Sequence, residues 1–187
     1  MASELLNSLV NQFAGPVLEQ IAAKLGISAS TVKKVAPMVI SLVMGSMVRT
    51  ANQPGGAQKL QGLLDVVGND KALASGDLGS FVSGFDVTKS TDLLQMLAGG
   101  NSVSNLVGNV ADKAGISSKA ASGLMGALAP MAVGSIAKMS QEKGLDIGGL
   151  TSLLATEVKG LGDLGDIDKL LDSAPGLWTK IRRALKG

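Results

Sequence analysis

Three observations predict an all-α protein, an internally duplicated and pseudo-twofold helical bundle with helix-turn-helix-like corners. First, a segment recurs: Ile21-Ala22-Ala23-Lys24-Leu25-Gly26-Ile27-Ser28 returns as Val110-Ala111-Asp112-Lys113-Ala114-Gly115-Ile116-Ser117. An Ala-Pro-Met follows each copy, as Ala36-Pro37-Met38 and Ala129-Pro130-Met131. Second, the apolar residues around these segments fall at helical spacing, i, i+1, i+4, i+5, i+8. Third, the composition suits helices packed closely on one another: 45% hydrophobic residues, 17% charged, 25 Gly and 8 Met. Phe13, Phe81, Phe85 and Trp178 are the whole aromatic set, whereas strand-rich domains favour aromatic and β-branched residues.

The elements follow in order. Leu5, Leu6 and Leu9 open the first unit and match Leu93, Leu94 and Leu97 at an offset of 88. Gly15-Pro16 reads as a stop followed by proline at a first helical position. Val17, Leu18, Ile21, Ala22 and Leu25 form one helical face. They match Leu106, Val107, Val110, Ala111 and Ala114 at an offset of 89. Gly26 and Gly115 fit left-handed C-caps, and Ser28 and Ser117 fit N-caps two residues later. Pro37 and Pro130 are expected to open or bend the apolar helix that follows each. Their offset is 93, so the second copy gains four residues before its proline. That is close to one helical turn and keeps the buried stripe in phase. Leu60, Leu63 and Leu64 then match Leu150, Leu153 and Leu154 at an offset of 90.

The boundaries are therefore a first repeat over 1–67, an irregular connector over 68–90, a second repeat over 91–154 and a C-terminal extension over 155–187. Phe81 and Phe85 of the connector are expected to anchor on the core. Ser90 and Asp92 suit the start of the helix carrying Leu93, Leu94 and Leu97, and Gly99-Gly100 its end. Residues 35–48 and 120–137 are uncharged runs of 14 and 18 residues. The first is too short to span a bilayer, and the second is borderline in length but dominated by Ser, Gly and Ala with Pro130 inside it, so both read as buried core helices. Gly123, Gly126, Ala127 and Gly134 would let neighbours approach closely. A helix apolar on all sides must be covered. Its counterpart in the other repeat is the simplest cover, and a partner subunit is the next.

These marks resemble the YidB-like family of bacterial domains of unknown function. The resemblance lies in Gly115-Ile116-Ser117, Ala129-Pro130 and Gly148-Gly149 before the leucine-rich 150–154, with counterparts at Gly26-Ile27-Ser28, Ala36-Pro37 and Gly55-Gly56. It covers most of residues 4–154 and implies two tandem, degenerate copies, an all-helical bacterial protein and no assigned activity.

The chain has no His, Cys or Tyr. This removes the commonest general acid–base residue, the thiol nucleophile and zinc–thiolate chemistry. The aspartates Asp163, Asp166, Asp168 and Asp172 lack the alternation of a calcium loop. No catalytic residue, metal, cofactor or small-molecule substrate is expected. Met1-Ala2-Ser3-Glu4 lacks the basic region of a secretory leader, so a cytoplasmic location is expected.

Three binding readings remain. The preferred one is a structural or interaction protein that associates with itself, through Met38, Leu42, Met44 and Met47 with Met125, Met131 and Ile136, since methionine suits adaptable interfaces. A second arises because Ala22, Gly26 and Val32 have helix-turn-helix spacing, with Ile21, Leu25, Ile27 and Val35 at the buried positions. Ser30, Lys33 and Lys34 would then touch DNA. Base reading favours Arg, Asn and Gln, and two lysines hold phosphates without specifying sequence. A plain structural corner uses the same pattern. The third concerns the tail, where Leu177, Trp178, Ile181, Ala184 and Leu185 share a helical face opposite Lys180, Arg182, Arg183 and Lys186. Such a helix suits an anionic membrane surface, a partner's groove or the protein's own bundle.

Overall fold

A computed structural model describes residues 4–13, 15–75, 77–84, 95 and 102–160. Among them are nine helices and no strand. In chain order they are α1 (Glu4–Gln12), α2 (Pro16–Leu25), α3 (Ala29–Ala51), α4 (Gly56–Gly68), α5 (Lys71–Ser75), α6 (Leu78–Gly84), α7 (Ser102–Ala114), α8 (Ser118–Glu142) and α9 (Ile147–Gly160). The all-α expectation holds.

The punctuation read from the sequence is built as expected. Gly15 has φ +81° and hands over to Pro16 in the first turn of α2. At the end of α2, Gly26 has φ +64°, the Ile27 N–H donates to the Ala22 carbonyl at 3.1 Å, and the Gly26 N–H donates to the Ala23 carbonyl at 3.4 Å. α7 closes in the same way, with Gly115 at φ +64° and bonds of 3.0 Å (Ile116 to Ala111) and 3.4 Å (Gly115 to Asp112). Each is a Schellman motif, which occupies carbonyls the helix cannot pair internally. Two residues on, the Ser28 hydroxyl accepts from the Thr31 N–H at 3.1 Å and the Ser117 hydroxyl from the Ala120 N–H at 3.2 Å.

Of the expectation that the prolines open or bend the apolar helices, the opening is not met. α3 and α8 run through Pro37 and Pro130 without a break. Each helix is started earlier by its serine cap, and each is 23 residues or longer. Burial of its many apolar side chains outweighs the single backbone bond that proline removes. The Ser41 hydroxyl turns back to donate to the Pro37 carbonyl at 2.8 Å, satisfying a buried polar group within the helix.

The connector also differs, for residues 71–84 hold α5 and α6. Asp70 accepts from the Ala72 and Leu73 N–H groups at 3.0 and 3.1 Å, and Asp77 from that of Ser80 at 3.0 Å. Buried Leu73, Leu78 and Val82 tie the pair to the core, and half-buried Phe81 packs on it. The expectations for Phe85, for Ser90 and Asp92, for Leu93, Leu94 and Leu97, and for Gly99-Gly100 lie outside the described residues.

One apolar core joins both halves of the chain. α3 and α8 pack against each other, as the need to cover two apolar helices required. α9 lies along α3, while α4 lies along α8. Two glycines of α8 make room for neighbours. Leu25 packs over Gly123, and Leu73 and Val67 would stand 3.1 and 3.2 Å from a Cβ placed on Gly134. α3 and α8 are long and apolar enough to cross a membrane by length and composition. However, 67% and 89% of their most apolar stretches are already buried against the rest of the chain.

Candidate functional site

The two corners are the most distinctive surface of the bundle. In the first, Ile21 and Val35 are buried and Leu25 and Ile27 half-buried against the core, as the helix-turn-helix spacing predicts. Ser30, Lys33 and Lys34 are exposed on the first two turns of α3. The Ser28 hydroxyl lies 2.9 Å from that of Ser30 and 2.8 Å from that of Thr31, so the turn is a small hydroxyl cluster. Lys24 donates to the Ser83 carbonyl at 2.8 Å and fastens α2 to α6. In the second corner Ser118 and Lys119 are exposed at the start of α8, while Gly123 is buried beneath Leu25.

That last contact decides the arrangement. Leu25 is the final residue of α2 and Gly123 sits in the second turn of α8. α2 also packs on α8, and α3 on α7. The two turns therefore lie at one end of the bundle. Ser30, Lys33, Lys34, Ser118 and Lys119 share that end with the capped N-termini of two long helices, whose dipoles add positive potential. The sequence suggests each corner separately. Their meeting depends on Gly123 and Leu25, which are 98 positions apart.

The residues expected to mediate self-association are placed otherwise. Leu42, Met44, Met47, Met125, Met131 and Ile136 are all 3% exposed or less and belong to the chain's own core. Met38 is half-buried. The uncharged helices cover one another within a single chain. Val66, 56% exposed, is the large apolar side chain that stands out in solvent among the described residues. The tail residues Trp178, Lys180, Ile181, Arg182, Arg183, Leu185 and Lys186, and the acids Asp163 to Asp172, lie outside the described residues.

An open groove of about 400 Å³ runs between the end of α3, the start of α4 and one face of α9. Small side chains dominate its walls: Ala51, Ala57, Gly148, Thr151, Ser152 and Ala155. Nothing in it is ionisable. Among the described residues no cluster of three or more His, Cys, Asp or Glu could hold a metal ion. No buried side-chain nitrogen or oxygen there lacks a hydrogen bond. The Ser140 hydroxyl, for example, donates to the Leu145 carbonyl at 3.1 Å where α8 gives way to α9. One carboxyl is perturbed. The Ser80 hydroxyl and N–H hold Asp77 below the usual carboxylate range, as fits a helix cap at the start of α6. Nothing in this arrangement points to catalysis.

Comparison with curated proteins and with solved structures found no match. A family model described as a bacterial protein of unknown function (DUF937) matches residues 7–139, more than two thirds of the chain. The resemblance carried by the Gly-Ile-Ser turns and the Ala-Pro pairs points to the same family, of which YidB is a member. The chain belongs to the DUF937 family of bacterial proteins.

Proposed function

We propose that this chain is a non-enzymatic interaction protein of the cytoplasm whose working surface is the end of the bundle where the two corners meet. The partner that suits this end is the phosphate backbone of a nucleic acid. The observation that supports the reading is the seating of Leu25 on Gly123, which joins the corner followed by Lys33 and Lys34 to the one followed by Lys119. Lysines and capped N-termini favour phosphate without reading bases. The corners abut, whereas helices reading successive major grooves sit roughly 34 Å apart. Binding should therefore be insensitive to sequence. A gel-shift titration on unrelated duplexes tests this. Three phosphate contacts predict a log–log salt slope of about −3, and Lys33→Glu with Lys34→Glu should bring it to about −1. Absence of any shift at low salt would reject the reading.

Self-association is the second reading, in an altered form. Each half of the chain supplies one long apolar helix, and each helix is flanked by a short one from the other half, α9 on α3 and α4 on α8. Such reciprocal packing can be satisfied between two chains as well as within one, by helix exchange. Leu42, Met44, Met47, Met125, Met131 and Ile136 would then meet across a subunit boundary. Light scattering separates the forms. A particle near 18.8 kDa at every concentration is the monomer, and a slowly interconverting species of twice that mass is the exchanged dimer. The internal duplication and its pseudo-twofold axis belong to this reading, supported by the repeated Schellman turns and serine caps.

A further inference from the structure

We propose that the groove between α3, α4 and α9 is the seat of the chain's own C-terminal segment, residues 177–185. The groove has room, and most of its walls are small side chains. Ala51, Ala57 and Ala155 bring only methyl groups, and a Cβ built on Gly148 would meet nothing closer than the Asp146 carboxylate at 3.6 Å. The Thr151 hydroxyl is spent on the Ile147 carbonyl at 2.7 Å, so its methyl is the group it can offer. An open channel of about 400 Å³ walled mostly by small groups, with Ile147 and Asn52 as its larger lining side chains, has room for a large apolar side chain.

The segment supplies such a side chain and can reach. Trp178 is the single tryptophan of the chain, and the sequence spacing would put it on one face of a helix with Leu177, Ile181, Ala184 and Leu185. The same spacing would put Lys180, Arg182, Arg183 and Lys186 on the opposite face, in water. α9 forms one wall of the groove and ends at Gly160. From Ala155 to that end is about 7.5 Å at 1.5 Å per residue. Residues 161–176 can extend about 50 Å, several times what a return along α9 needs. Covalent attachment also raises the local concentration of the segment to about the millimolar range, which favours it over a second copy.

Because the chain has one Trp and no Tyr, its intrinsic fluorescence reports on this segment alone. The full-length chain should show a blue-shifted Trp178 emission, protected from acrylamide and unchanged on dilution. Ala155→Arg, or Ala57→Arg on the opposite wall, should return the emission to that of free indole and raise the quenching constant several-fold. Circular dichroism should stay that of the parent in at least one of the two. Blue-shifted emission unmoved by a folded groove variant would overturn the proposal, as would a shift that appears only where light scattering shows dimers. A free-indole emission in the parent chain, moved only by vesicles of anionic phospholipid, would also overturn it and identify the segment as a membrane anchor.

Discussion

Alanine substitution of two glycines in α4 should move stability in opposite directions, although the positions lie six residues apart on one helix. Gly62 is in the middle of α4, half-buried, and a Cβ built there meets nothing within 4 Å. Its backbone is helical, so alanine adds no strain and narrows the unfolded ensemble. The gain should be about 0.5–1 kcal/mol. For a chain of this length that is about 2–3 °C in Tm. Gly56 opens the same helix and is buried against the last turn of α3. A Cβ there collides with the Thr50 carbonyl oxygen and lies 2.8 Å from that of Ala51. These are backbone atoms and cannot rotate away. The joint between α3 and α4 must open, at about 1–3 kcal/mol or more, and helix propensity at a first position returns little. Thermal unfolding followed by far-UV circular dichroism should show Gly62→Ala above the parent and Gly56→Ala below it by about 2–12 °C. Equal shifts, or a neutral Gly56→Ala, would refute the geometry at this joint.

Other expected outcomes follow from the same structure. Gly26→Ala or Gly115→Ala places a side chain at φ +64° with nothing within 4 Å, so the loss should be conformational, about 1 kcal/mol at each in urea unfolding. Ser117→Ala removes the acceptor for the Ala120 N–H and should cost about 1 kcal/mol by the same assay, with Ser117→Asp retaining most of it. Leu128, fully buried in α8, should cost about 2–5 kcal/mol when cut to alanine. The Asp77 carboxyl lies below its unfolded value of 3.8, so the capping of α6 should be complete above that pH and fade as the pH falls below it. The Ser80 amide resonance should follow this titration, and Asp77→Asn should abolish its pH dependence.

The helices and their ends were legible in the sequence because the interactions that make them are local. A left-handed glycine closing a helix and a serine capping the next depend on residues within a few positions. Gly26 with Ser28 and Gly115 with Ser117 thus read correctly. Pro37 and Pro130 do not start helices, because burial along 23 to 25 residues overrides the local cost of a proline inside one. α5 and α6 were missed because each is short, and isolated helices of that length are marginal without a core. Their capping aspartates, Asp70 and Asp77, were the signal that was there to be read.

Local patterning is enough to show a helical chain, where most of its helices start and stop, and two long helices in need of cover. What covers them depends on long-range packing. α3 and α8 bury one another, so the methionines of Met44, Met47, Met125 and Met131 became core instead of contact surface. It also brought Leu25 onto Gly123 and joined two separate corners into one lysine-bearing end. The reason is physical: hydrophobic burial is non-directional, and periodicity shows which side of a helix is greasy but not which neighbour will occupy it.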